Sequence, residues 1–320
     1  MIGININTKN NGIGKYAEDI ARLIRVYTVI IDKQKRNAKC VGEKIDGFYP
    51  PVTNGWALNI RLFRLILKKN KLTQQNIHLL TPLKPPVKEG IVTIHDLYSF
   101  GGKNRMDKYF SKVYGMFENW KIITPTQIVK DELLHHYDYD PNQITVVPLS
   151  IDSSKFFRMG TSKKYDIITV GDGSHKNNHK VHKIVEDKEY SYVHVGNEAP
   201  ESNRFMNVSN FNLNVLYNQS KVAIRYSDKE GFGIPAIESI FAGTPIILSR
   251  LPVFEEIMGE KYPLFVDTLD EIPDKIEEAE DFDFSYFSKK WYDNYSFSEF
   301  SRRMYHEYKM HREHKGGMND

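Results

Sequence analysis

Short apolar runs alternate along this chain with stretches whose apolar positions recur every three or four residues. The first pattern suits a strand and the second a helix with one buried face. Residues 2–7 read as a strand, and Ala17, Ile20, Ala21 and Ile24 place a helix over 16–26. A strand follows at 27–31, and residues 32–55 hold no clear period. Residues 56–69 read as an amphipathic helix, 77–80 and 91–94 as strands, and 106–119 as a helix. A short strand at 121–124 stops at Pro125, Thr126 is placed to cap a helix reaching His136, and a strand at 144–147 ends before Pro148.

The pattern then restarts. A strand at 165–170 leads into a loop at 171–176, a helix at 178–186 and a strand at 190–195. A helix near 213–220 and a strand at 222–226 follow. Pro235 suits the first turn of a short helix and Gly243 its end, before a strand at 245–249. Helices are expected at 255–258, 269–279 and 297–311, a short strand at 264–266, and a frayed tail from 315. Strands alternating with helices predict an α/β chain with parallel sheets. The restart predicts two doubly wound domains, residues 1–152 and 160–296, with a last helix over about 297–313 packing back on the first.

Composition narrows this picture. With 40% apolar and 27% charged residues, the 320-residue chain is an ordinary globular protein long enough for about two domains. The single cysteine, Cys40, excludes an internal disulfide and fits a reducing compartment. The N-terminus has no basic region followed by an apolar stretch, and no run of 18 apolar residues occurs. A cytoplasmic protein without signal peptide or membrane span is therefore expected. Charge is uneven: residues 1–150 carry 22 Lys/Arg against 13 Asp/Glu, and residues 151–320 carry 22 against 28. A basic and an acidic half suit two domains with different partners. In the 56–69 helix, Trp56, Ile60, Phe63 and Leu67 share a side, with Arg61, Arg64 and Lys68 nearby. It fits either a packed surface helix or a peripheral contact with the anionic inner face of a membrane.

Two carboxylates, Glu230 and Glu238, flank Gly231-Phe232-Gly233 and Pro235. They fall at the loop end of a strand–loop–helix–strand unit, where open α/β sheets bind ligands. Carboxylates there accept charge-assisted hydrogen bonds from vicinal hydroxyls, about 1.5–3 kcal/mol each, so a sugar or ribose is the natural ligand. The plainer alternative is that Glu238 complements the helix dipole and Glu230 is solvated. Ile237, Ile240 and Phe241 share a face expected in the core. Gly12 and Gly14 open a helix whose amides could attract phosphate, or form a plain turn. The loop 171–177 holds two glycines and Lys176, a point charge for a phosphate. His95 and Asp96 end a strand, where a histidine alone reads as structural. His175, His179 and His182 have ligand-like spacing, but Lys176, Lys180 and Lys183 beside them repel a cation, so no metal site is expected.

The string EGFGIPAIESIFAGTPII resembles the donor-site motif of retaining glycosyltransferases of family 4 (group 1 glycosyl transferases), which have the GT-B fold. Asn11–Ala17 resembles the glycine loop of that family, Val92–Leu97 its His-Asp strand end, and Ile122–Thr126 with Ile144–Asp152 its run into an interdomain linker. Tyr295-Ser296-Phe297 and the following helix resemble its C-terminal element. These motifs keep the family's order over nearly the whole chain.

The resemblance implies two Rossmann-like domains facing a central cleft. It implies metal-independent transfer of a hexose, with retention, from a UDP- or GDP-linked nucleotide sugar and without a cofactor. The acceptor would be a glycan, a lipid or a protein glycan, bound mainly by the first domain. Glu238 would bind the ribose, and Glu230 the donor sugar, within the donor loop that includes Gly231, Phe232 and Gly233. Gly14 and Lys176 would meet the diphosphate. His95 would sit in the active site, with Asp96 and Tyr16 toward the acceptor. No protein nucleophile is implied; the leaving phosphate would act as base.

This chain departs from the family in one place. Where related sequences put Arg-Lys-Asn or an earlier Gly-Arg pair, it has His175-Lys176-Asn177 and Gly171-Asp172. Two other readings stay open. One is a non-catalytic sugar-nucleotide or glycan-binding protein. The other is a nicotinamide-dependent oxidoreductase, although Ala17 stands where G-x-G-x-x-G wants its third glycine and Asp32 is only a partial match for the ribose acid. Nucleic acid is not an expected partner, because no reader motif with interleaved aromatics occurs.

Overall fold

The structure, a computed structural model, describes residues 2–5, 12–32, 37–41, 77–82, 85, 87–97 and 105–316. The chain divides into two compact units, Met1–Pro148 with Ser301–Asp320, and Leu149–Phe300.

The first unit runs β1 (Ile2–Asn5), α1 (Gly12–Ala21), β2 (Arg25–Asp32), β3 (Asn37–Val41), β4 (Ile77–Leu79), β5 (Ile91–Thr93), α2 (Arg105–Tyr114), β6 (Lys121–Thr124), α3 (Gln127–His136) and β7 (Ile144–Val146). Its strands lie in the order β3-β2-β1-β4-β5-β6-β7. All neighbours are parallel except β2 and β3. The chain winds outward from β1 in both directions, so its switch point lies between β1 and β4. Ile77, Leu79, Ile91, Val92 and Ile122 are buried, as suits parallel strands covered on both faces. Thr126 caps α3, its side chain accepting from the Val129 amide.

The second unit runs β8 (Tyr165–Val170), α4 (Asn178–Asp187), β9 (Tyr192–Val195), β10 (Arg204–Phe205), α5 (Asn210–Asn218), β11 (Ser220–Arg225), α6 (Ile234–Ala242), β12 (Ile246–Ser249), α7 (Pro252–Met258), β13 (Phe265–Val266), α8 (Ile272–Glu280) and α9 (Lys289–Asn294). The order β10-β9-β8-β11-β12-β13 is parallel throughout. Its switch point lies between β8 and β11. The last helix, α10 (Phe297–Gly316), counts with the first unit from Ser301 on. There Tyr308 hydrogen-bonds His78 at 2.8 Å and Glu307 pairs with Lys121 at 3.4 Å.

Several elements differ from the sequence reading. The helix expected over 106–119 ends at Tyr114. Phe117 and Trp120 keep its period but are buried on a turn, where the Gln143 side-chain amide donates to the carbonyls of Phe117, Glu118 and Trp120. α1 begins at Gly12, so Gly12 and Gly14 lie in its first turn rather than before it. β3 falls in the stretch without a period, and β10 spans two residues. Phe241 is half-buried rather than core, packing on Trp291 and Tyr292, while Ile237 and Ile240 are fully buried. The amphipathic helix expected over 56–69 lies outside the described residues. Among the described residues, no helix is long and apolar enough to cross a membrane.

Candidate functional site

In the second unit, the loops leaving β8 and β11 meet at the switch point. The β8 loop starts at Gly171, whose φ of +84° is a conformation that L side chains rarely adopt. A Cβ at Gly171 would lie 2.8 Å from the Lys176 Nζ and 3.7 Å from the Arg225 Nη1, so two cations crowd this glycine. The loop is fastened on both flanks. Asp172 Oδ1 accepts from the amides of Asn197 and Glu198 and from His194 Nε2. Glu198 accepts from the Gly173 amide and from Asn178 Nδ2, each at 2.8 Å. Toward the β11 loop, the Asp228 amide donates to the His175 carbonyl at 2.7 Å, and Asn177 Nδ2 donates to Asp228 Oδ1 at 2.7 Å.

The β11 loop carries Glu230. Its Oε1 accepts from Arg225 Nε at 2.7 Å, Arg225 Nη2 at 2.5 Å and Ser227 Oγ at 2.9 Å. Both side chains are buried, Arg225 to 5% exposure and Glu230 to 9%. Burial alone would raise the Glu230 carboxyl, but the Arg225 charge and hydrogen bonds, Ser227 and Lys176 outweigh it and hold it below the usual value. Lys176 moves the other way for a cation. Burial first and then the Arg225 charge lower it to about 8, against the opposing pull of Glu230, Asp172 and Glu198.

The motif then turns into α6. Gly233 caps it at φ +79°, and a Cβ there would meet the Phe254 ring at 2.5 Å. Gly231 is buried. The Phe232 ring is buried against Tyr295, at 6.0 Å between centroids, so this position offers a ligand its main chain rather than its ring. Glu238 is only 1% exposed. The Tyr217 hydroxyl lies between its carboxylate and the Pro235 carbonyl, which it reaches at 3.2 Å. Burial and then the Glu238 charge push the Tyr217 phenol well up.

In the first unit, His95 follows β5 and its Nε2–H donates to the Leu80 carbonyl at 2.9 Å. That bond fixes the tautomer and leaves Nδ1 as an acceptor. Burial lowers the His95 pKa to about 4, so the ring is neutral at pH 7. Tyr16, from α1, packs edge-on against it at 4.9 Å. The Tyr16 hydroxyl is itself buried on Thr93 Oγ1 at 2.7 Å, and Thr93 also bonds His78 Nε2 at 2.8 Å. Tyr16 thus positions the His95 ring. Gly14 and Asp96 are half-buried, and the Asp96 charge is felt by Tyr114, whose phenol is raised chiefly by burial.

The structure therefore brings Lys176 and Glu230 together, and His95 with Tyr16. Glu238 lies eight residues beyond Glu230 within α6. Arg225 was missed; the signal available was a charged residue ending an otherwise apolar strand, five positions before Glu230. The three histidines with ligand-like spacing separate. His182 Nε2 bonds Thr169 Oγ1 at 2.8 Å and stacks on Tyr192, while His179 is exposed. Among the described residues, no group of three or more His, Cys, Asp or Glu side chains is placed to hold a metal ion.

Residues 200–283, which include Arg225, Glu230 and Glu238, match the family described as Glycosyl transferases group 1. Over these residues the chain is similar to group 1 glycosyltransferases. It is 28% identical over 199 residues to the O-antigen chain mannosyltransferase RfbU of Salmonella typhimurium, a match covering 54% of this chain and 56% of that protein. The chain spans about half the length of the curated relatives it matches. Among solved structures it is similar to sucrose-phosphate synthase from Thermosynechococcus elongatus, with a TM-score of 0.71 and 13% identity over 97% of this chain and 98% of that one. It is also similar to Anabaena Alr3699/HepE in complex with UDP and glucose, with a TM-score of 0.67 and 10% identity over 97% and 99%. These likenesses give the fold: α/β, of the GT-B class, with two Rossmann-like parallel-sheet halves.

Proposed function

We propose that this protein is a retaining glycosyltransferase that moves a hexose from a UDP- or GDP-linked donor to a glycan or lipid acceptor. The observation that carries this reading is the β8/β11 corner. A glycine-bounded loop with Lys176 there faces the Arg225–Glu230 pair, inside or beside the segment that matches the group 1 family. In this reading Lys176 and the main chain at Gly171–Gly173 hold the donor diphosphate. Glu230, kept ionised, accepts hydrogen bonds from donor sugar hydroxyls and orients the anomeric carbon. Glu238 takes the ribose hydroxyls. Within the first unit, the Gly14 amide suits a phosphate, the neutral His95 offers Nδ1 to a substrate hydroxyl, and Asp96 acts on the acceptor.

The chemical step breaks the bond from the anomeric carbon to the phosphate oxygen. A bond from the acceptor oxygen forms on the same face, and the acceptor proton passes to the leaving phosphate. Developing negative charge on that phosphate is met by fixed cations and amides, commonly the largest catalytic contribution. No metal or cofactor enters the step.

A thermal-shift screen with UDP-, GDP- and ADP-sugars tests the reading. Stabilisation grows as RT ln(1 + [L]/Kd), about 2.7 kcal/mol at a hundredfold excess over Kd. One nucleotide class should raise the melting temperature, and with it release of the nucleoside diphosphate should follow when acceptor is supplied. A flat response to every nucleotide sugar would refute the donor site. Binding without turnover would point to a sugar-nucleotide-binding protein.

A further inference from the structure

We infer that Arg225 and Lys176 together form the cation pair that grips the donor diphosphate. Arg225 then supplies from β11 a guanidinium that the loop 171–177 after β8 lacks. This rests on the nucleotide-sugar reading above and names a diphosphate-binding residue that neither the family pattern nor the loop sequence assigns.

Four observations converge on it. The first is position: Arg225 is the last residue of β11, at the carboxyl edge beside the switch point, where ligands of such sheets bind. The second is convergence. Both cations border the same glycine, with Lys176 Nζ 2.8 Å and Arg225 Nη1 3.7 Å from the point a Gly171 Cβ would occupy. A side chain at this position would push the lysine away from the guanidinium.

The third is donor accounting. A guanidinium has five N–H donors. Two go to Glu230 Oε1 and one, on Nη1, goes to the Val170 carbonyl. Among the described residues, one N–H on each terminal nitrogen is left without an acceptor, and guanidinium N–H groups suit a phosphate. The fourth is charge. Glu230 is engaged by Arg225 and Ser227, and Asp172 and Glu198 accept from the Asn197, Glu198 and Gly173 amides, His194 and Asn178. Burial and then the neighbouring Arg225 charge lower Lys176 although Glu230, Asp172 and Glu198 pull the other way, so the two cations lie close enough to meet one anion together. A residue needed only to finish the run Val222-Ala223-Ile224 would be apolar, since burying a guanidinium and its partner costs desolvation.

The test is calorimetric titration of the full chain with inorganic pyrophosphate, UDP and GDP. Wild type, Arg225→Gln and Arg225→Lys are compared, each checked for folding by circular dichroism. Arg225→Lys keeps a cation opposite Glu230, so it remains readable if Arg225→Gln fails to fold. Wild type should bind pyrophosphate and one of the two nucleotides. Both variants should lose about 10- to 100-fold on every phosphate-bearing ligand, as expected for charge-assisted hydrogen bonds. Weak binding of the matching nucleoside, read by competition, should not change. Variants that bind pyrophosphate and nucleotide as tightly as wild type, or that weaken the nucleoside equally, would overturn the inference and leave Arg225 as a partner for Glu230 alone. Wild type that binds pyrophosphate through Arg225 but no nucleotide would sink the nucleotide-sugar reading and keep the anion pocket. Wild type that binds none of them overturns both.

Discussion

Replacing Glu230 by Gln tests whether the buried Arg225–Glu230 pair organises the second unit's site. Three donors converge on one carboxylate oxygen: Arg225 Nε, Arg225 Nη2 and Ser227 Oγ. Breaking a buried pair by removing one charge costs about 3–5 kcal/mol, because the remaining charge is stranded. The amide oxygen of Gln still accepts from Ser227 and Arg225, so the low end, about 3 kcal/mol, is expected at neutral pH. Urea denaturation measures it, from the shift in midpoint at unchanged m.

The pH dependence gives a sharper reading. The folded Glu230 carboxyl lies below its ordinary value because Arg225, Ser227 and Lys176 outweigh burial. The unfolded chain therefore binds the proton more readily. The contribution of Glu230 is fully present above the ordinary glutamate value, about 4.3, and is lost as pH falls through the lower folded value. The gap between wild type and Glu230→Gln should be flat from about pH 6 upward and should close toward acid. Other paired carboxylates, such as Asp166 and Asp172, are common to both proteins and cancel in this difference. A gap under about 1 kcal/mol at pH 7, or one that does not shrink in acid, would refute the argument that this pair is a buried, charge-coupled unit.

Gly171→Ala should cost about 1–2 kcal/mol for its positive φ and also weaken pyrophosphate binding, because the new methyl takes the space beside Lys176; denaturation and titration of one preparation read both effects. Lys176 titrates near 8 in the ligand-free protein, so diphosphate affinity should fall as pH rises above that value, and Lys176→Ala should flatten the profile while lowering affinity throughout. Tyr308→Phe removes the partner of His78 Nδ1 and should cost about 1–3 kcal/mol by denaturation, with little change in nucleotide affinity. Transfer measured after exhaustive treatment with EDTA should keep its rate if diphosphate charge is met by side chains and amides alone; loss of activity restored by a divalent cation would contradict that.

The parallel sheets were legible because strands buried on both faces print short apolar runs. Val222-Ala223-Ile224 and Ile246-Ile247-Leu248 are examples, with helix stops such as Gly243 between them. β3 was not legible, since Asn37–Val41 has Lys39 inside it and no apolar run, and takes its place only by antiparallel pairing to β2. β10 escaped for the same reason: two residues at a sheet edge leave no period. At the site, glycine and carboxylate spacing marked Glu230, Glu238 and the Gly171 loop. Arg225 escaped because it is read as the end of a strand until the fold turns its guanidinium back onto Val170 and Glu230. The settings of Tyr16 and His95 were likewise hidden. Their partners, Thr93, His78 and Leu80, lie far from Tyr16 in sequence and are brought together by β1, β4 and β5.

Hydrogen–deuterium exchange of the full chain, with and without a saturating UDP- or GDP-sugar chosen by the thermal screen, tests the donor site most directly. Peptides covering 170–178 and 225–239 should gain protection. The edge around β10 and the exposed C-terminal part of α8 should not change. A bound nucleotide sugar that leaves 170–178 and 225–239 exchanging as in the free protein would contradict the placement of the donor at the β8/β11 corner.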